Sequence, residues 1–378
     1  MSKKILLFQP YYDLKGHFES FHEINKENLS NNGFQCFSVL GREKKKPLNS
    51  SSFVFKSFTS NKILRIISSF KGLSLLKKVS RSKNISVIHF LDFEIFTLSL
   101  FLRLNRAFFL DKKIILTLHS VNYLKDSGQT LFRKIYRNMI VSSYRYLDQN
   151  LNIDVVTNGE TLTKTFQRSI PLENSRIITS SWGANKVDDK QLNDNREFNS
   201  FLFLGIIRKD KNLEYLLNQF SMVQKKFTLT IAGMPFDYDM EELEEIILQS
   251  GIDTKMIRTH FEFIDDSTYE ELLNEHKYIV LPYSSDNQSS SGPLIQALQH
   301  EIIPIVSNYG ERGSIVEKNN LGYSFEFDSE NSLKEIVENI LEKTVDNDLF
   351  SENIRMKKED FLWKNLIKNL IYTHNVYE

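Results

Sequence analysis

The 378-residue chain has one cysteine, Cys36, so it can form no internal disulfide, which suits a reducing compartment. It has no stretch of eighteen apolar residues without a charge, as a membrane-spanning helix would need. The opening MSKKILLFQPYYD holds only a short apolar run before Pro10, too short for the core of a signal peptide, and a cytoplasmic protein is expected. Net charge is absent too, with 48 Lys and Arg against 48 Asp and Glu, and no nucleic-acid motif accompanies the basic residues. Internal repeats, a Walker P-loop and a Ser-His-Asp arrangement are missing, and the histidines, His300 included, lack zinc-ligand spacing. Asp237 and Asp239 form an Asp-x-Asp, but they open an acidic helix start where the dipole favours carboxylates. No metal is therefore expected.

The zero net charge conceals an asymmetry. Residues 1–190 carry 30 Lys and Arg against 15 Asp and Glu, and the remainder carries 18 against 33. Two domains facing different partners would be built this way. From Lys44 to Phe90 there is no acidic residue at all. Within that segment Ile63, Leu64, Ile66, Ile67, Phe70, Leu73, Leu75 and Leu76 alternate with Lys62, Arg65, Lys71, Lys77, Lys78 and Arg81. The pattern predicts a basic amphipathic helix, which can lie on an anionic inner-membrane surface or pack its apolar face on a core.

With 41% hydrophobic and 25% charged residues, the chain has the composition of a globular protein of two ordinary domains. Apolar strands alternate with helical spacings along its whole length. The first half offers KILLFQP, FQCFSVLG, SVIHFLD, KIILTLHS, IDVVTN and RIITSSW. The second offers SFLFLGII, FTLTIAG, IRTHFEFI, KYIVLPY, IIPIVSN and GYSFEF. Continuous Ile, Val, Leu and Phe runs of this kind are buried on both faces, as in doubly wound parallel sheets. Two α/β Rossmann-like domains are expected, 1–190 and 191–350, with a polar linker at 185–199. Residues 351–378 should form a long C-terminal helix.

Ligands of open parallel sheets bind beyond the carboxyl ends of the strands. Gly16 and His17, His119, and Gly205 with Arg208 and Lys211 all stand just after strand candidates. So does QSSSGPLIQAL, residues 288–298. There Pro293 suits a first helical turn, Ser290 or Ser291 can cap it, and Gly292 lets a ligand approach the backbone. The segment is either an ordinary capped helix start or a seat for an anion such as phosphate. Four such loops favour the second reading.

These motifs resemble the GT-B glycosyltransferases, in particular family 4, whose donors are nucleotide sugars. FLGIIRKDKNLEYLL is similar to the family's strand, glycine turn, Arg, Lys and helix. The resemblance implies that Arg208 and Lys211 neutralise the donor diphosphate. YSSDNQSSSGPLIQALQHEIIPIVSNYGERGSIVEKNNLGYSFE resembles the donor loop, helix, strand and second glycine loop. Most members carry two Glu eight residues apart, where this chain has Gln288 and Gln296. Some branches use a Ser-Gly turn instead, which Ser291-Gly292 matches. Gln296 would then bond the ribose, and Phe263 and Ile264 would pack near the base. His119 is similar to the family histidine facing the donor sugar, and Gly16 and His17 to the loop on the acceptor side. WKNLIKNLIYTHNVY, with Trp363, resembles the C-terminal helix that crosses back to the first domain.

The fold so implied is GT-B, two Rossmann-like domains facing a central cleft. The implied activity is transfer of a sugar from a UDP- or GDP-sugar to a hydroxyl of a glycan or lipid-linked glycan in bacterial surface polysaccharide biosynthesis. Retention of configuration and independence from metals and other cofactors come with it. An epimerase or phosphorylase on the same fold is disfavoured, because no set of acid–base carboxylates stands out. A catalytically inactive relative serving as a scaffold subunit is the rival from another class, and the two glutamines are its argument.

Overall fold

The continuous apolar runs become strands buried on both faces. The computed structural model describes residues 3–14, 18–43, 48–57, 62–121, 131–188, 192, 195–285, 287, 291–327, 329–344 and 347–377. The chain divides into two units, Met1–Ser181 with Trp363–Glu378, and Trp182–Leu362.

In the first unit the strands are β1 (Lys4–Gln9), β2 (Gln35–Arg42), β3 (Ser52–Lys56), β4 (Val87–Phe90), β5 (Lys113–Leu118), β6 (Asn152–Asn158) and β7 (Arg176–Ser180). They form one parallel sheet in the order β3-β2-β1-β4-β5-β6-β7. The helices are α1 (Phe18–Asn31), α2 (Lys62–Lys83), α3 (Ile95–Leu104), α4 (Arg106–Phe109), α5 (Leu131–Asn150) and α6 (Glu160–Ser169). Leu6, Phe8, Val39, Ile88, Ile114, Leu116 and Val155 form the sheet's share of the core.

The second unit holds a parallel sheet of β8 (Glu197–Leu204), β9 (Thr228–Ala232), β10 (Ile257–His260), β11 (His276–Leu281), β12 (Ile303–Ser307) and β13 (Tyr323–Phe325). Its order is β10-β9-β8-β11-β12-β13. Around it lie α7 (Leu213–Ser221), α8 (Met240–Gln249), α9 (Asp266–Glu275), α10 (Gly292–Gln299), α11 (Gly310–Asn319), α12 (Ser332–Leu341) and α13 (Asp348–Lys357). In both sheets the strand order reverses beside the first strand of the unit, between β1 and β4 and between β8 and β11. Such switch points open a crevice at the carboxyl ends of the strands, where ligands of this architecture sit.

Three expectations change. The strand β3 lies in the basic segment ahead of the expected helix, where no strand was expected. The phenylalanines and valine of SFVFK pair with β2, and Phe55 is buried against Phe8, with ring centroids 6.0 Å apart. The predicted amphipathic helix is α2, but Leu73, Leu76 and Val79 are in the core, and only Leu64, Ile66 and Ile67 of its apolar residues with described side chains are exposed. The C-terminal segment is not one long helix. After α13 a 3-10 turn spans Lys358–Phe361, and Leu362 is extended because it pairs with Ala184. Then α14 (Trp363–Lys368) and a π turn, Asn369–Thr373, pack in the first unit. The units accordingly part after Ser181 and Leu362 rather than at residues 190 and 350.

The chain end is pinned by a buried relay. The Tyr377 hydroxyl lies 3.0 Å from His89 Nδ1, and His89 Nε2 lies 2.7 Å from Thr117 Oγ1, both within hydrogen-bond distance. Burial, with His119 nearby, lowers the His89 pKa to about 3. The unfolded chain therefore takes up the proton first. The contribution of His89 is intact above the ordinary histidine value of about 6.5 and is lost as pH falls toward 3, at up to about 1.4 kcal/mol per pH unit. Urea unfolding at pH 7 and pH 5 checks this: the pH-dependent loss of stability should be smaller in His89→Gln than in the wild type.

Candidate active site

At the switch point of the second unit, β8 ends at Leu204 and the chain turns at Gly205, whose φ of +116° favours glycine. A Cβ there would lie 2.9 Å from Lys211 Nζ and 3.4 Å from Pro293 Cγ. The lysine amine thus lies beside that position, near the start of α10. Gly233, at the end of β9, is equally constrained, since a Cβ would lie 2.0 Å from the Gly205 carbonyl oxygen. Lys211 closes a 3-10 turn, Lys209–Lys211, before Asn212 in the left-handed region starts α7. Its side chain is buried, its ammonium sits 5.0 Å from the Tyr283 ring centroid, and it makes no hydrogen bond or ion pair among the described residues. A buried ammonium without a carboxylate favours an anionic ligand.

Above it, Ser291 caps α10, but the Leu294 N–H reaches its Oγ at only 3.5 Å. Pro293 has no N–H and the Ile295 N–H bonds the Ser291 carbonyl, so the Gly292 N–H and the positive end of the dipole are what the helix start offers a ligand. Gly292 meets only the Trp182 indole nitrogen, 3.5 Å from a notional Cβ, which is ordinary contact. The fold does not need glycine at this position. Gln296 is exposed one turn on.

Arg208 is half-exposed and gives Nη2 to Asp210 Oδ2 at 3.0 Å. The same oxygen accepts Asn287 Nδ2 at 3.0 Å, and the Asp210 carbonyl accepts the Ser284 N–H at 3.0 Å. Arg208 Nε, Asp210 Oδ1 and the Tyr283 hydroxyl are buried without a hydrogen-bond partner among the described residues. Such atoms cost roughly 1–3 kcal/mol each when left unsatisfied. Three together at one switch point mark a place where a ligand or water completes the bonding.

Gly205, Arg208, Lys211, Ser291, Gly292 and Pro293 thus come together at one switch point. Phe263 and Ile264 follow the edge strand β10, two strands from β8. Phe263 is exposed, while Ile264 packs against the core. Gln288 and Ser290 lie outside the described residues, as do Gly16 and His17. Asp237 and Asp239 have structural work: Asp237 Oδ2 accepts the Lys209 N–H at 3.0 Å, and Asp239 Oδ1 caps α8 through the Glu242 N–H at 2.8 Å. Among the described residues no three His, Cys, Asp or Glu side chains converge on a metal position.

In the first unit His119 follows β5. Its Nε2 donates to the Leu91 carbonyl at 2.8 Å, and its Nδ1 accepts from Asn158 Nδ2 at 3.0 Å. Phe21 meets its ring edge-on, centroids 5.1 Å apart, and Phe21 packs on Trp363 in turn. Both ring nitrogens of this histidine, expected to face the donor sugar, are bonded within its own unit. Next to it at the switch point are Asp92 and Tyr11. Burial raises the Asp92 carboxyl above the usual range, opposed by His119 and the Phe93 N–H, and burial with Asp92 raises the Tyr11 phenol.

Several of these residues escaped the reading of the sequence. Asp210, Asn287 and Arg312 stand inside the quoted motifs, but attention to cations and glycines passed over the amide and carboxylate that link them. Asp92 closes SVIHFLD, and its position after a strand was the available signal.

Residues 185–357 match the family model described as Glycosyl transferases group 1. The match lies within the second unit. The whole chain has the GT-B fold, as its structural neighbours show. A glycosyltransferase from Rickettsia africae ESF-5 matches with 14% identity over 100% of this chain and 99% of the other, at a TM-score of 0.71. Anabaena HepE in complex with UDP matches with 11% identity over 99% of each chain, at 0.72. Sucrose-phosphate synthase from Thermosynechococcus elongatus matches with 13% identity over 99% and 98%, at 0.74. No curated protein matches the chain in sequence.

Proposed function

We propose that the protein is a retaining, metal-independent glycosyltransferase that moves a sugar from a nucleotide-sugar donor to a hydroxyl of a glycan or lipid-linked glycan, in bacterial surface polysaccharide biosynthesis. The observation that carries the donor site is Lys211: a buried lysine side chain whose ammonium makes no hydrogen bond or ion pair among the described residues, held beside Gly205 and near the start of α10. A leaving diphosphate there meets the ammonium, the Arg208 guanidinium and the Gly292 N–H. Charge-assisted bonds of this kind stabilise a developing anion without a metal. HepE, a neighbour in fold, binds UDP and UDP-glucose, so UDP-sugars are the first donors to try, with GDP-sugars next. Gln296, exposed one turn along α10, is the candidate for the ribose, with Phe263 and Ile264 for the base. In the first unit Asp92, Tyr11 and His119 offer polar groups to sugar hydroxyls. Same-face attack by the acceptor needs no enzyme carboxylate as nucleophile, which agrees with glutamine at 288.

The partner surface follows from α2, α3 and α5. These helices pack side by side, and they contain no acidic residue except Asp148, which is buried. Leu64, Ile66 and Ile67 of α2 and Leu131, Ile135 and Met139 of α5 are exposed among Arg133, Lys134 and Arg137, with Leu131 at 75%. We propose that this face meets an anionic bilayer that carries the acceptor, through apolar insertion and attraction of the basic side chains. The helix α5, which the sequence reading did not single out, extends the expected basic segment.

Release of nucleoside diphosphate from a panel of UDP- and GDP-sugars, with a membrane-extract acceptor, tests the reaction. One donor should turn over, a chelator should leave the rate unchanged, and Arg208→Ala and Lys211→Ala should each lose about a hundredfold or more. A well-folded protein that binds a donor without turnover would favour the inactive scaffold, the reading that Gln288 and Gln296 support. Flotation with vesicles tests the surface separately. The protein should float with phosphatidylglycerol vesicles at low salt and not with phosphatidylcholine, and the Ile135→Glu/Met139→Glu variant should stay behind. Equal flotation of variant and wild type would remove α5 from the docking face.

A further inference from the structure

Arg312 lies in the first turn of α11 and is fully buried. An arginine so placed needs a reason, because burying a guanidinium is costly unless every donor is used well. Its Nη1 donates to the Asn287 side-chain oxygen at 3.1 Å, and its Nη2 to the Asn287 carbonyl at 2.6 Å. The guanidinium also lies 4.5 Å from the Tyr283 ring centroid, the same ring that carries Lys211 at 5.0 Å. Two cations on one aromatic ring repel each other, and an anion near Lys211 relieves that repulsion.

The fork from Arg312 fixes both the backbone and the amide of Asn287. With Oδ1 held by the guanidinium, the amide has one way to face, and its Nδ2 reaches Asp210 Oδ2. That oxygen is the one paired with Arg208. A carboxylate oxygen accepting from an amide and a guanidinium at once shares its charge between them, so the pair with Arg208 is weaker than it would be alone. Burial lowers the Arg312 pKa to about 10, against the pull of Tyr283 and Asp210, so the group stays charged at neutral pH.

We propose that Arg312 is a positioning residue for the donor diphosphate: by fixing Asn287 it keeps Asp210 divided between two donors and leaves Arg208 available to a phosphate oxygen. This rests on the reading of Arg208, Lys211 and the start of α10 as the diphosphate seat. The effect is electrostatic and acts on the terminal phosphate, so it has a signature that loss of general structure lacks. Discrimination between a nucleoside diphosphate and the monophosphate should depend on Arg312.

Calorimetric titration with UDP and UMP, or GDP and GMP where the uridine compounds give no heat, tests this. The proteins are the wild type, Arg312→Met, Arg312→Lys, Asn287→Ala and the double variant Arg312→Met/Asn287→Ala. Arg312→Met and Asn287→Ala should each lower the ratio of monophosphate to diphosphate dissociation constants by roughly tenfold. The double variant should lose no more than either single one, because both break the same link. Arg312→Lys should regain part of the ratio. An unchanged ratio in both Arg312→Met and Asn287→Ala, or equal weakening of both nucleotides, would overturn the proposal while leaving the diphosphate seat intact. If Arg312→Met does not fold, Asn287→Ala decides alone. A well-folded wild type that binds none of the four nucleotides would overturn the diphosphate seat, and this proposal with it.

Discussion

A lysine ammonium buried beside the end of β8 is the constraint from which the second unit's site follows. The φ of +116° at Gly205 favours glycine, and the Lys211 amine lies 2.9 Å from where a Cβ would be. Gly205 in turn comes so close to the end of β9 that position 233 must be glycine as well. The amine lies 5.0 Å from the centroid of the Tyr283 ring after β11, and Pro293 at the start of α10 borders the same Gly205 position. Two glycines, a proline, an aromatic ring and a helix start are therefore arranged around one charge. A compact cation at the end of a buried side chain, with a helix N-terminus nearby, suits an anion.

Much of the fold was legible because parallel strands buried on both faces read as apolar runs, as β8, β11 and β12 of the second unit do. The strand β3 was not, because SFVFK is short and stands inside a stretch without acidic residues that draws attention to charge. The end of the chain was misread for a related reason. The spacing of Ile354, Phe361, Leu362, Leu366 and Leu370 suits a helix, but Leu362 is taken into a bridge with Ala184, a pairing of distant residues that local periodicity cannot register. Propensity yields here to a tertiary contact.

The site was legible where a residue's type states its role. Glycine with a positive φ, proline at a helix start and a serine cap can each be read from local sequence, and Gly205, Pro293 and Ser291 stand where such reading put them. The link through Asp210, Asn287 and Arg312 could not be read, because it joins three loops after three different strands. An arginine near a helix start looks like a solvated charge until its burial is known. His119 shows the other side of this. Its position after a strand was evident, yet both ring nitrogens are engaged by the Leu91 carbonyl and Asn158, so what it offers a ligand is set by neighbours the sequence does not announce.

The most direct test of the central claim is a crystal structure of the protein with a nucleoside diphosphate bound, UDP first. The diphosphate should lie with an oxygen within hydrogen-bond distance of Lys211 Nζ and of the Gly292 N–H at the start of α10, with Arg208 turned toward it. A diphosphate bound elsewhere on the second unit, with Lys211 still over the Tyr283 ring and no anion beside it, would contradict the reading of the buried ammonium as the donor's seat.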